Sequence, residues 1–183
     1  LIDHTTASPT LAKKLAVATS ERQCSFLDAP VSGGQAGAEN ASLTIMIGGD
    51  EDSFERSKQV MEVYAKSMKL MGPSGSGQLT KAVNQICIAG ILQGLSEGLH
   101  FAEKAGLDIN AVVDVISNGA AQSWQMENRS ETMAAGKFDY GFAVNWMRKD
   151  LRIALDTADR VQASLPLTAL VDQFYADVQR LGG

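Results

Sequence analysis

Two cysteines, Cys24 and Cys87, are all that the 183 residues carry. They lie far apart, each in an apolar stretch, so neither a disulfide framework nor a thiolate metal centre is expected. Buried free thiols in a reducing compartment are the reading, and no metal site is expected. Positive charge is equally thin: 16 Lys and Arg stand against 21 Asp and Glu, for a net charge of −5. The basic residues are scattered, which argues against nucleic acid and anionic membrane as partners. No signal-peptide pattern opens the chain, and the apolar run from Ile86 to Leu92 falls far short of the roughly 20 residues that span a bilayer. A cytoplasmic protein with no membrane segment is expected. Internal repeats and low-complexity tracts are absent too. What is present, at 45% hydrophobic and 20% charged, is an ordinary globular composition able to bury a core.

Strands and helices alternate at first. LID reads as a short strand, and Ser8 with Pro9 supplies an N-cap and a first-turn proline for TLAKKLAVATSERQ. SFLDAP follows as a strand, VSGGQAGAENAS as a glycine-rich loop, and SLTIMIGG as another strand. Asp50, Glu51 and Asp52 sit at the positive end of a helix running through SFERSKQVMEVYAKSM, and KLMG closes the segment as a strand. Residues 1–72 therefore read β-α-β-β-α-β. Beyond Pro73 only helical patterns occur. One should run from Gln78 to about Lys104, apolar all round through its middle, so neighbours should bury it. Asp108 opens INAVVDVISNG, another helix should start near Asn145, and Pro166 starts TALVDQFYADVQRL. Trp124 and Trp146 are read as core or as a cleft wall. The domain boundary is placed at 72–77.

At that boundary stands GPSGSGQLTKAVNQ. A phosphate-binding P-loop needs glycine before its lysine and a hydroxyl residue after it, whereas Thr80 precedes Lys81 and Ala82 follows. The dinucleotide fingerprint fails as well, for want of its third glycine. What remains is a lysine in the first turns of a buried helix. There the positive helix end and apolar neighbours both disfavour its charged form, which suits a general acid or base near neutral pH. Asn84 and Gln85, three and four residues on, share its face and offer neutral amides to an oxygen-rich substrate. From position alone, a solvated lysine at a helix start is the commoner case.

Four stretches change that balance. IDHTTASP, DAPVSGG followed by AENASLTIMIGG, GSGQLTKAVNQ and MRKDL resemble, in order, the turn, substrate loop, lysine segment and late K-D-L helix of the β-hydroxyacid dehydrogenase family. The resemblance implies an α/β Rossmann-type domain followed by an all-α domain, with a small hydroxyacid and its semialdehyde or keto partner interconverted by NAD or NADP. By that comparison Lys81 is the catalytic acid/base. Ser32, Gly33 and Gly34 match the substrate loop, Thr6 a cofactor-contacting threonine, and Lys149 a lysine reaching the nicotinamide end. Phe142 and Asp150 match residues lining the same cleft. Gln85 stands where many members have a second asparagine, one methylene shorter, and Thr5 stands in place of a serine.

The resemblance also sets an expectation about extent. The family's first β-α-β half, with its G-x-G-x-x-G loop, has no counterpart, so residues 1–72 are expected to be the C-terminal half of a cofactor domain and residues 73–183 the helical domain. The chain is then expected to be a fragment that binds cofactor poorly by itself. A homodimer or higher homo-oligomer joined through the apolar helices is expected. The alternative in another class is a non-catalytic module kept for self-association.

Overall fold

In the computed structural model, which describes residues 1–139 and 141–183, the first part is a mixed sheet with helices between its strands. Its elements are β1 (Ile2–Asp3), α1 (Pro9–Ser20), β2 (Leu27–Asp28), β3 (Val31–Ser32), α2 (Gly34–Glu39), β4 (Leu43–Gly48), α3 (Glu51–Met61) and β5 (Ala65–Gly72). Strand β1 runs parallel to β2, β2 and β3 both run antiparallel to β4, and β5 runs parallel to β4. Leu27, Ala29, Leu43, Ile45, Ile47 and Met61 form the core of this layer, with Phe54 and Tyr64 packed against it.

The helix starts follow the local chemistry of the chain. Ser8 Oγ accepts from Leu11 N–H ahead of α1, and Asp50 Oδ1 accepts from Ser53 N–H ahead of α3. Two expectations need correction. The glycine-rich stretch is not all loop, because Val31–Ser32 pairs with β4 and Gly34–Glu39 is helical. Helix α3 ends at Met61, and the residues expected to extend it enter β5, where pairing along β4 outweighs a weak helical pattern.

Five helices follow: α4 (Ser76–Lys104), α5 (Ile109–Ile116), α6 (Trp124–Ala134), α7 (Val144–Val161) and α8 (Pro166–Arg180). Helix α6 was not read from the sequence; Ser123 caps it, but its polar surface leaves only Met126, Ser130 and Met133 to mark a helical stripe. Contacts group the chain into two compact units, Leu1–Ile86 with Phe142–Gly183, and Cys87–Gly141. In the second, Leu95, Leu99 and Met126 pack with Ile109, Val113 and Met133. In the first, α7 and α8 are tied by Arg148, whose Nε donates to Asp172 Oδ1 at 2.9 Å. Along α7 the buried stripe Met147, Leu151, Ala154, Ala158 also includes Asp150, a carboxylate on an apolar face.

Several burial expectations do not hold. Cys24 and Cys87 are free but exposed, the first just after the turn ending α1 and the second on the outer side of α4. Of the two places expected for Trp124 and Trp146, core or cleft wall, the core is ruled out, since they are 56% and 58% exposed. Helix α4 is buried on one side only: Ala89, Leu95, Leu99 and Ala102 are inside, while Leu79, Val83, Ile91 and Phe101 are open to solvent in the single chain.

Candidate active site

The start of α4 is pressed onto the end of the sheet by a buried carboxylate. Asp28, at the end of β2, is fully buried, and its Oδ1 and Oδ2 accept from the backbone N–H groups of Gly75 at 2.7 Å and Gln78 at 3.0 Å. Burial holds the pKa of this carboxyl above the ordinary aspartate value, against the opposing pull of its backbone donors, Gly75 and Gln78 foremost. A Cβ on Gly77 would lie 2.4 Å from the Met46 carbonyl oxygen and 2.6 Å from that of Asp28; one on Gly48 would lie 2.5 Å from Asp28 Oδ1. These glycines therefore serve close packing of helix on strand, which answers why the segment is glycine-rich without being a phosphate loop.

One turn further along α4, Lys81 is only 7% exposed. Among the described residues no hydrogen bond or ion pair engages its amine. Burial pushes its pKa below the ordinary lysine value; Asp150 acts to raise it, and Lys149 adds to the lowering. The opposing carboxylate does not cancel the desolvation. The same helix carries Asn84, whose Nδ2 donates to Gln85 Oε1 at 2.8 Å, and the buried Gln85, whose Nε2 donates to Asp150 Oδ2 at 2.7 Å. Asp150 Oδ1 lies 2.9 Å from Lys149 Nζ as an ion pair, and among the described residues this buried oxygen has no hydrogen-bond partner, which leaves it an acceptor position. Lys149 Nζ donates to the Thr6 carbonyl. A continuous polar path thus runs Asn84, Gln85, Asp150, Lys149, Thr6 beside the lysine.

Five of the ten residues singled out in the sequence, Thr6, Asn84, Gln85, Lys149 and Asp150, are joined in this way, and Lys81 lies within electrostatic reach of Asp150 and Lys149. The other four are not joined to them by any hydrogen bond or ion pair among the described residues. Ser32 ends β3, Gly33 and Gly34 have φ of +130° and +61°, and Phe142 stands 57% exposed just before α7. The positive φ angles suit glycine, and a Cβ at Gly34 would meet nothing within 4 Å, so the backbone there faces open space. Asp28 and Gln78 were missed in the sequence. Asp28 had a weak signal, a carboxylate directly after the apolar Phe26 and Leu27, whereas Gln78, in GSGQLTK, had none.

With that geometry in hand, comparison with known proteins is decisive. A family model described as "NAD-binding of NADP-dependent 3-hydroxyisobutyrate dehydrogenase" matches residues 75–183. A second, the NAD-binding domain of 6-phosphogluconate dehydrogenase, matches residues 1–72. The chain belongs to the β-hydroxyacid dehydrogenase family. It is 60% identical over 183 residues to an uncharacterized oxidoreductase of Shewanella frigidimarina, covering 100% of this chain and 63% of that protein. It is 38% identical to the 2-hydroxy-3-oxopropionate reductase of Escherichia coli, over 100% of this chain and 63% of the relative. A solved structure of Mycobacterium tuberculosis 3-hydroxyisobutyrate dehydrogenase with L-serine superposes with a TM-score of 0.88 at 32% identity, covering 97% of this chain and 63% of that one. The chain thus spans a little under two thirds of the length of these relatives.

The polar groups of this path are chemically compatible with a nicotinamide cofactor. The buried Asp150 Oδ1 acceptor and the Lys149 ammonium beside it supply donor and acceptor chemistry of the kind a carboxamide or a ribose takes. Among the described residues, no helix is long and apolar enough to cross a membrane.

Proposed function

We propose that this chain is the substrate-side part of an NAD(P)-dependent oxidoreductase that interconverts a small β-hydroxyacid and its semialdehyde or keto partner, as a 3-hydroxyisobutyrate dehydrogenase does. The observation that carries the reading is Lys81: a buried amine with no hydrogen-bond partner among the described residues and a disfavoured charge, on the face that carries Asn84 and Gln85. Residues 1–72 then supply the C-terminal half of the cofactor domain and residues 73–183 the helical domain. The separate family-model matches over residues 1–72 and 75–183 support this division. The nicotinamide, when bound, supplies the hydride acceptor or donor. In the oxidation direction the neutral Lys81 Nζ takes the substrate hydroxyl proton as the carbonyl forms, and in reduction the ammonium returns it. Ser32 Oγ and the N–H groups of Gly33 and Gly34 hold the substrate carboxylate, and Phe142 closes the apolar side. Asn84 orients the reacting oxygen, with Gln85 and Asp150 behind it. Thr6 and Lys149 hold the nicotinamide end of the cofactor.

The test is turnover by the full-length gene product on 3-hydroxyisobutyrate, glycerate and 4-hydroxybutyrate with each cofactor. Reduction of NAD or NADP by at least one of these acids is expected. If cofactor binds and no hydroxyacid is oxidised, the substrate class is wrong. If no cofactor binds, the second reading takes over: a non-catalytic module for self-association.

Assembly is a separate expectation. Leu79, Val83 and Ile91 on α4 are open in the single chain, as are Leu167, Leu170, Phe174 and Val178 on α8. A second copy of the chain that covers them, burying on the order of 2,000 Å², gives a stable homodimer. Light scattering should return twice the chain mass. A clean monomer at tens of micromolar would rule this packing out.

A further inference from the structure

Gln78 is 2% exposed and has no place in the proton transfer or substrate contacts above. Both ends of its amide are spent on one short loop. Oε1 accepts from Ala7 N–H at 2.9 Å, and Nε2 donates to the Thr5 carbonyl at 2.7 Å. The two bonds fall on either side of Thr6, whose own carbonyl accepts from Lys149. The backbone N–H of Gln78 is itself held by Asp28. The amide orientation is fixed by this pattern, since a flipped side chain would set N–H against N–H and oxygen against oxygen. A buried amide that uses both ends across more than 70 residues of chain is more than a filler of space.

We propose that Gln78 is a positioning residue for the cofactor: by gripping both flanks of Thr6 it fixes the Thr5–Ala7 loop to the helical turn that leads into Lys81. The cofactor-contacting loop and the proton-transferring amine are then held by one rigid piece of α4, and the amine stays in register with the nicotinamide end. The inference rests on the dehydrogenase reading above and adds a residue to it. The charged groups around this clamp are Asp28 on the Gln78 N–H, Asp3 on the Thr5 N–H at 3.0 Å, Lys149 on the Thr6 carbonyl, and Lys81 three residues along α4.

The experiment compares Gln78→Met and Gln78→Glu with the parent in the full-length gene product. Three readouts are taken: hydrogen exchange of the Ala7 amide without cofactor, NAD and NADP affinity by fluorescence titration, and the split between cofactor KM and kcat. Methionine keeps the length of the side chain and removes both bonds. The Ala7 amide should then exchange faster, and cofactor affinity should weaken about tenfold, the order expected from two neutral hydrogen bonds. The loss should fall on cofactor KM more than on kcat. Ionised glutamate still accepts from Ala7 but turns an oxygen toward the Thr5 carbonyl, and once protonated it donates there again. The affinity deficit of Gln78→Glu relative to the parent should therefore shrink as pH falls. Faster Ala7 exchange with parental cofactor affinity in Gln78→Met would overturn the proposal. So would a Gln78→Glu deficit that is constant with pH, and this second arm decides if Gln78→Met does not fold. A parent that binds neither cofactor sinks the dehydrogenase reading, and the clamp's role with it; a parent that binds normally alongside unaffected variants sinks the clamp alone.

Discussion

Replacing Lys81 by alanine is expected to lower turnover of the full-length gene product by roughly 10²- to 10⁴-fold, the usual contribution of a positioned acid or base. Cofactor affinity should stay near parental, because the groups assigned to the cofactor, Thr6 and Lys149, hold each other through the Thr6 carbonyl without help from Lys81. Lys81→Arg should not rescue, since a guanidinium keeps its proton at any working pH and cannot act as a base. Stability supplies an independent check. Burial disfavours the charged form of Lys81 in the folded chain, so the folded state binds fewer protons than the unfolded one between the lowered pKa and the ordinary lysine value of 10.5. The parent must therefore gain stability as pH rises through that window. Lys81→Met, which removes the buried charge, should melt higher than the parent at neutral pH, with the gap closing toward alkaline pH. A solvated surface lysine predicts none of this: turnover would be unchanged and the melting curves would differ by about half a kcal/mol or less. Near-parental turnover in Lys81→Ala would end the acid/base assignment.

How much of this was legible in the sequence depends on the range of the interactions. Helix starts were legible because caps are local: Ser8, Asp50 and Asp108 each bond an N–H three residues on. The lysine segment and the K-D-L helix were legible as motifs, and the structure joins their residues through Gln85 and Asp150. Helix α2 was not legible. Its run GQAGAE has weak helical propensity, and the turn is held by tertiary contact, Gly37 packing so tightly on Leu43 that an added Cβ would sit 3.1 Å from Leu43 Cδ2. Exposure was misjudged wherever apolar character was taken as burial. Cys87 sits among apolar neighbours in sequence and Cys24 just ahead of Phe26 and Leu27, yet both lie outside in the fold, and α4 is apolar on faces that the single chain leaves open. The roles of Asp28 and Gln78 lie in bonds spanning 47 to 73 residues, which no local pattern encodes. Glycine in GSGQLTK was the clue with a second meaning. It fails as a phosphate loop because its task is to let the helix carrying the lysine approach the sheet.

That last point makes Gly77→Ala the most damaging single-methyl change to be expected in the chain. Its Cβ would lie 2.4 Å from the Met46 carbonyl oxygen, 2.6 Å from the Asp28 carbonyl oxygen and 2.9 Å from Asp28 Oδ2. None of these atoms belongs to a flexible side-chain end; two are sheet backbone and the third is locked by the N–H groups of Gly75 and Gln78. Relief requires the first turn of α4 to withdraw, which strips Asp28 of donors while it stays buried. Overpacking and a partly unsatisfied carboxylate together should cost about 2–5 kcal/mol, lowering Tm by on the order of ten degrees for a chain of this size. The same withdrawal moves Lys81 away from Asp150 and loosens the Gln78 clamp, so folded protein at low temperature should still be deficient in turnover. Gly94→Ala is the control, on the same helix with nothing within 4 Å of the added Cβ. It should raise stability by up to about 1 kcal/mol through helix propensity. Opposite signs for one substitution at two points of one helix would locate the constraint in the contact between helix and sheet. Equal, small effects in calorimetric melts of the two variants would mean that α4 does not press on β4 as described.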